Sequence, residues 1–450
     1  MNADAVARRR VVLNPHSALL GSATALAAIV LALVLAVALA RQPSLPLGLV
    51  VLGGAALVGT LALALARYDA AVALGIALLG IVVVDPAPSD LLFVVVMAIA
   101  ATSGRFDLDG VPKTVIVAIV AFATLNLVSA VEVVDPGRAA AFFSITLYLC
   151  VFAVWLTGYV VSRRRAALVA RAYVFAAVMS ALLGSLALLV AYPGGDLLLE
   201  DGRVRAFFQD PNVFGPFLIP AALILIEELL SPRVLRVGRL PKAIGLVALT
   251  LGVLFSFSRG AWLNLALGVA VMFVVLLLRR GGARRAMAFL GVGLCVAALV
   301  GGAVAVSGSS GFLVERARPQ GYDAERFGAQ AVGIDAAEQY PLGAGPGQFE
   351  QIAPISAHST YVRVLAEQGI AGLATLATLL LFTLGVALRS ALLGRDTYGI
   401  GSAALLGAWC GILANSFFVD TLHWRHLWVV AALIWAGSMP RRTAGRAGRA

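Results

Sequence analysis

The sequence predicts an all-α protein, a polytopic transmembrane helical bundle of about 12–14 spans with one larger extracytoplasmic loop carrying short helices. Three observations predict it. Of 450 residues, 61% are hydrophobic and 13% are charged, and the mean hydropathy is +0.96. Apolar runs of roughly 15–25 residues recur along the whole chain, each about long enough to cross a bilayer core. The basic residues gather in short segments between those runs, the usual topology signal of membrane proteins.

Taken in order, the expected spans are 18–40, 46–66, 69–84, 90–103, 114–131, 139–161, 172–191, 213–230, 243–257, 260–278, 286–306, 367–388, 399–419 and 426–439. The third and fourth are short enough to form a re-entrant pair, and losing both leaves the topology unchanged. The start, MNADAVARRR before an apolar run, superficially resembles a signal peptide. The run from Ser17 to Ala40 exceeds the roughly 7–15 residues of a signal core, so a retained first helix is expected. With the N-terminus inside, the inner segments hold 24 Lys and Arg against 10 outside. Shifting the frame by one helix inverts that bias, so both termini are expected in the cytoplasm.

This frame divides the chain into a cytoplasmic segment 1–17, N-terminal transmembrane helices 18–191, a central region 192–373, C-terminal helices 374–439 and a basic tail 440–450. Three segments fall on the outer face: loop 192–212, the tight turn 257–260 and the long loop 307–366. The long loop is too small for an independent enzyme domain, so any chemistry has to be shared between loops and helix ends. The net charge of +11 does not point to nucleic acid, because the basic residues are dispersed as topology signals. Cys150, Cys295 and Cys410 lie inside apolar runs and read as small core residues, not as a disulfide framework or a metal site.

The turn FSFSRGAW sets Arg259 between two apolar runs. Gly260 is expected to permit a tight reversal and Ser258 to hydrogen-bond into it. The plain reading is a helical hairpin whose arginine snorkels to lipid phosphate. The sharper one aims Arg259 into a cavity, where it holds an anionic substrate that supplies its counter-charge. In DGRVRAFFQDPNVFGPF, Asp210 and Asn212 flank Pro211 and Asn212 is placed to cap the next helix, while Arg203 and Arg205 share the loop. A helix N-terminus with guanidinium groups suits a phosphate.

In the long loop, GAGPG lacks the preceding strand and following Gly-Lys-Ser/Thr of a nucleotide loop. His358 is the loop's one histidine, followed by Tyr361, Arg363 and Glu367 at roughly helical spacing. Phe327, Ala331 and Ile334 form an apolar stripe that suits a short helix lying on the membrane, with Arg326 beside it. Asp420, His423 and His426 are spaced as metal ligands could be, but the interleaved Trp424 and Trp428 read as an interfacial aromatic belt; no metal is expected.

Four segments in this order, FFQDPNVFGPF, FSFSRGAW, YPLGAGPGQF and AHSTYVRVLAEQGIAGL, resemble the signatures of the O-antigen ligase and O-antigen polymerase family of polytopic membrane glycosyltransferases. They cover 205–373. The resemblance implies inverting, metal-independent glycosyl transfer without a cofactor, from a polyprenyl (undecaprenyl) diphosphate donor to an acceptor hydroxyl. It implies a site on the outer face of the bacterial cytoplasmic membrane. Arg259 and His358 carry over as catalytic residues, and Arg259, Arg205, Arg203 and Arg326 as diphosphate ligands. Arg205 fits the upstream arginine better, with Arg203 competing for the role. Asp210, Asn212, Ser258, Tyr361 and Glu367 carry over as supporting residues. Expected partners are the lipid-linked glycan donor, a glycan, lipid or protein acceptor, membrane lipids and envelope-polysaccharide assembly proteins.

A lipid-linked oligosaccharide flippase or other secondary transporter is the competing reading. Its ionisable groups should sit near the bilayer midplane. Here Arg171, Glu227 and Glu228 are the nearest candidates, and all lie toward the expected cytoplasmic ends of spans. The outer-face clustering of polar groups favours an enzyme.

Overall fold

Where lipid offers no hydrogen-bonding partner, an apolar chain satisfies its amides internally, and the helix is its local solution. A computed structural model describes residues 58–438, apart from 191, 280, 281, 309 and 319. The first expected span and both terminal segments lie outside the described residues, as does most of the second; its last part, 58–66, is helical.

The described helices are α1 (Tyr68–Leu78), α2 (Pro88–Thr102), α3 (Lys113–Ser129), α4 (Pro136–Tyr159), α5 (Arg163–Leu189), α6 (Pro211–Leu230), α7 (Arg239–Phe255) and α8 (Arg259–Leu278). They continue with α9 (Gly282–Ser307), α10 (Ser310–Ala317), α11 (Tyr322–Gln339), α12 (Phe349–Ile352), α13 (Thr360–Leu392), α14 (Ser402–Asn415) and α15 (Arg425–Ser438). Strands β1 (Leu199–Glu200) and β2 (Arg203–Val204) form one antiparallel ribbon, with Glu200 opposite Arg203. Among the described residues, α4, α5, α6, α8, α9 and α13 are long and apolar enough to cross a membrane. The protein is therefore a polytopic helical membrane bundle. The third and fourth expected spans are helices of 11 and 15 residues, short as their sequence suggested.

The contacts divide the chain into two units, one ending at Val72 and including Asp90–Phe106, the other made of Ala73–Ser89 and everything from Asp107. In the first unit, the Tyr68 hydroxyl donates to the Val96 carbonyl and Arg105 lies over the Tyr68 ring. The second unit is built around α6, whose apolar window is 83% buried, whereas that of α9 is 11% buried and faces outward. Pro216 and Pro220 sit within α6.

Small residues let α8 and α14 approach as closely as backbones allow, which is how apolar helices gain contact without a hydrophobic driving force. A Cβ on Gly407 would lie 2.5 Å from the Gly268 carbonyl oxygen, and one on Gly268 would lie 3.1 Å from that of Gly407. One turn away, Asn264 covers Gly411, and Asn415 covers Gly260.

At the opposite end of α6, charged groups act as pins. The buried Glu228 carboxylate accepts from the backbone N–H groups of Arg233, Val234 and Leu235 and from Lys242 Nζ at 2.9 Å. Glu227 accepts from Ala404 N, and Arg171 donates to Val234 O. Of the three groups that the transporter reading singled out, Arg171 and Glu228 are thus tied to loop backbone and Glu227 to the first turn of α14.

The α8–α14 contact yields a first prediction. Gly407→Val forces the two backbones apart, and overpacking of this kind costs about 1–3 kcal/mol. Thermal unfolding of the full chain in detergent should show a lowered midpoint, and an unchanged midpoint refutes the tight contact.

Candidate active site

Four helix N-termini meet at one cavity of about 460 Å³. Asn212 comes from the first turn of α6, Ser258, Arg259 and Gly260 from the start of α8, and Tyr322 and Asp323 from the start of α11. His358 stands just before the cap of α13. Helix N-termini carry partial positive charge and free N–H groups, so the wall attracts anions before any side chain is counted. Thus α6, α8 and α13 all begin at this cavity.

The turn before α8 differs in detail from its sequence reading. The left-handed residue is Phe257, with φ of 48°, not Gly260. Gly260 lies inside the helix and is needed because Asn415 of α14 presses against it. Ser258 caps α8, accepting from Ala261 N at 3.3 Å. Arg259 is therefore the first helical residue, and it faces the cavity.

Loop 192–212 separates its two arginines by strand geometry. Arg203 donates from Nε to Ser256 O at 3.0 Å and from Nη2 to the cavity-lining Asn212 Oδ1 at 3.1 Å. Arg205 is turned to Leu197 O at 3.4 Å and does not line the cavity. Arg203 does not line the cavity either, so of the four expected diphosphate ligands only Arg259 and Arg326 do. Arg203 reaches it through Asn212, and the two loop arginines diverge where the ribbon ends and the chain turns at Ala206, which has φ of 49°. Asn212 is not the cap of α6. Asp210 caps it, accepting from Asn212 N at 2.7 Å, with Pro211 as the first helical residue.

The long loop supplies the opposite wall. Arg259 forms a two-pronged ion pair with Asp323, Nη1 lying 2.9 Å from Oδ2 and Nη2 meeting Oδ1. Its counter-charge is thus already present in the chain, which corrects the expectation that it arrives with the substrate. The Tyr322 ring is ringed by Arg326, Arg316 and Arg259, at 4.6, 5.8 and 5.9 Å from its centroid. Arg316 also donates to Phe257 O at 3.5 Å. Burial and the neighbouring Arg316 charge both lower the pKa of Arg203, the mark of crowded cations. The Arg259 hydrogen bond holds the Asp323 carboxyl below the usual carboxylate range.

His358 is half-buried in a left-handed conformation, with φ of 45°, and Gln330 Nε2 donates to its carbonyl at 3.2 Å. Burial, then the Arg326 charge, pushes its imidazole pKa below the ordinary value of about 6.5, so the ring is neutral at pH 7. The residue precedes the Ser359 cap of α13 and lines the same cavity as Arg259, Arg316 and Arg326.

Three expected supporting residues do not line the cavity: Asp210, which is used as the cap of α6, Tyr361 and Glu367. Tyr361 donates to Leu413 O at 2.9 Å and packs on Phe417. Glu367 is buried beneath the glycine-rich loop, accepting from Gly347 N and Phe349 N. Tyr361 is thus half-buried against the end of α14 and Glu367 is buried beneath the loop, on different faces of α13. GAGPG is a docking strap: Gly343, Gly345 and Gly347 all have positive φ. Ala344 N and Gly345 N donate to Ala366 O and Glu367 O, beside the break that Gly369 makes in α13.

Arg363 holds this side together. Its guanidinium lies 2.5 Å from Glu350, 2.9 Å from Glu367 and 2.8 Å from Asp420, and stacks near the Phe142 and Phe349 rings. Among the described residues, no three His, Cys, Asp or Glu side chains are grouped as a metal site would need. Asp420 is taken by Arg363, His423 by Thr146 at 2.9 Å, and His426 is buried beside Trp424 and Phe217. On α11 the buried stripe is Ala329, Gly333 and Ala336, which leaves the expected apolar face, with Phe327 and Ile334, exposed.

Sequence reading overlooked Arg316, Tyr322 and Asp323. The run ERARPQGYDAER is dense in charge, but nothing in its spacing says which groups turn inward.

Fold and cavity together define a polytopic helical membrane protein with a cationic pocket among helix N-termini. Residues 244–377, from α7 into α13, match the family model described as O-antigen ligase, which supports the resemblance to that family. The match takes in Arg259, Arg316, Asp323, Arg326 and His358, and leaves out Arg203 and Asn212. No curated protein matches the chain.

Removing the Arg363 guanidinium leaves three carboxyl groups without their shared cation, and breaking buried ion pairs costs about 3–5 kcal/mol. Arg363→Met should therefore lower the unfolding midpoint sharply in the same thermal assay, more than Arg205→Met, which should leave it nearly unchanged.

Proposed function

We propose that the protein transfers a glycan from a polyprenyl diphosphate donor to an acceptor hydroxyl at the outer face of the bacterial cytoplasmic membrane, as an inverting, metal-independent O-antigen ligase or polysaccharide polymerase. The observation that carries this reading is the convergence of Arg259, Arg316, Arg326 and His358 on one cavity. Guanidinium groups suit a diphosphate whose negative charge grows as its bond to the sugar breaks. The neutral imidazole suits removal of the acceptor proton.

In the proposed step the acceptor oxygen attacks the anomeric carbon, and the carbon–oxygen bond to the diphosphate breaks. Polyprenyl diphosphate leaves with the bonding electrons, and His358 takes the hydroxyl proton. Arg203 lends charge from behind Asn212. The apolar part of the wall, Leu263, Phe327 and Phe418, gives the lipid chain an entry. The cytoplasmic placement of both termini, the bacterial setting, and an acceptor drawn from glycan, lipid or protein belong to this reading. So do contacts with envelope-polysaccharide assembly proteins.

Purified His358→Ala should lose about 10²–10⁴-fold in turnover, the range of a general base. Arg259→Gln should lose donor-dependent transfer as well; near-normal turnover in either variant removes that residue from the mechanism.

The pH profile gives an independent check. Protonated His358 cannot accept a proton, and its pKa lies below the ordinary value. Transfer should hold its plateau through neutral pH and fall only as pH drops below about 6.5. A profile already falling between pH 8 and 7 speaks against His358 as the base.

A further inference from the structure

The ion pair between Arg259 and Asp323 raises a question that the proposed function leaves unanswered. A guanidinium meant for diphosphate has both of its terminal nitrogens engaged by a carboxylate of the same chain. The contact is not a passive surface pair. Asp323 is in the first turn of α11, and its Oδ2 also accepts from Gln320 N at 2.8 Å, which fixes the carboxylate where the loop enters the helix. Arg259 donates in addition to Arg318 O at 3.3 Å, and Arg316 reaches back to Phe257 O. The long loop is therefore latched onto the turn before α8 through arginines that line the cavity.

We infer that Asp323 is a positioning residue that competes with the donor for Arg259: the incoming diphosphate displaces its carboxylate, and the carboxylate returns to Arg259 to help expel the diphosphate product. This rests on the proposed function.

The physical need lies in product release. The donor diphosphate is esterified at both ends, whereas the leaving polyprenyl diphosphate has one end free and carries more negative charge. Arginines that bind the donor well hold the product more tightly still, and release then limits turnover. An anion on the protein, 2.9 Å from the same guanidinium, offsets that excess by rebinding without diffusing from solution. It also keeps Arg259 aimed into the cavity between turnovers, instead of letting it reach toward lipid phosphate. The Asp323 carboxyl stays ionised throughout the neutral range, because the Arg259 hydrogen bond holds its pKa down.

The test uses the full chain purified in detergent, with inorganic pyrophosphate as the probe, titrated calorimetrically against wild type, Asp323→Asn, Asp323→Glu and Arg259→Gln. If Asp323 occupies Arg259 for about nine-tenths of the time, its removal tightens pyrophosphate binding about tenfold. Asp323→Glu, which keeps the charge, should bind close to wild type. In the transfer assay Asp323→Asn should lower KM for the donor and kcat together, and pyrophosphate should inhibit it more strongly. A carboxylate that only braces the loop predicts the opposite, a raised KM with weaker pyrophosphate binding in Asp323→Asn; that result, or unchanged binding, overturns the inference. The site reading fails separately, if Arg259→Gln binds pyrophosphate as well as wild type does.

Discussion

The buried Arg363 guanidinium, shared among Glu350, Glu367 and Asp420, is the constraint on which the rest of the site depends. Each carboxylate comes from a different part of the chain. Glu350 belongs to α12, Glu367 to α13 one turn beyond Arg363, and Asp420 to the segment between α14 and α15. Desolvating one such group alone costs several kcal/mol, and only mutual pairing offsets it. The arrangement therefore has one low-energy assembly, in which the glycine-rich strap, the start of α13 and the end of α14 are brought together. Arg138 extends it by pairing with Glu350 at 2.6 Å. His358 sits five residues before Arg363, across the Ser359 cap, so this cluster fixes the position of the imidazole without touching the cavity.

The cation-rich lining around Tyr322 follows a different principle. There the cations outnumber their partners: Arg259, Arg316 and Arg326 surround one tyrosine ring, Arg203 stands behind Asn212, and Asp323 engages Arg259 directly. Four helix N-termini add to the same positive field. Such a wall is costly in isolation and becomes favourable when an anion enters. The contrast gives the cavity its division of labour, a charge-satisfied cluster beside the histidine turn and a cation-rich lining around Tyr322.

The close approach of α8 and α14 connects the two walls. Asn415 on Gly260 places the end of α14 beside the first turn of α8, and Phe418 and Val419, just beyond that end, line the cavity. Ser416 O and the Thr421 side chain meet Ser359 and Thr360 at the start of α13. Backbone proximity between two helices is thereby converted into a fixed separation between the arginine turn and the histidine turn.

The helical membrane bundle and the grouping of Arg259, Arg326 and His358, which line one cavity, could be read from the chain alone. Apolar run length, charge bias and short motifs are local quantities, and a bilayer leaves a helix little freedom to disobey them. Partnership was not legible. Asp323 was invisible as the counter-ion of Arg259 because 64 residues separate them. Arg203 and Arg205 are alike in sequence and were told apart only where the ribbon ends. Tyr361 and Glu367 follow His358 at helical spacing, yet Tyr361 is held by Leu413 of α14 and Glu367 by the glycine-rich loop. By residue type Gly260 suits a turn, but its role is to admit Asn415. In each case the deciding quantity is the position of an atom distant in sequence, which folding alone supplies.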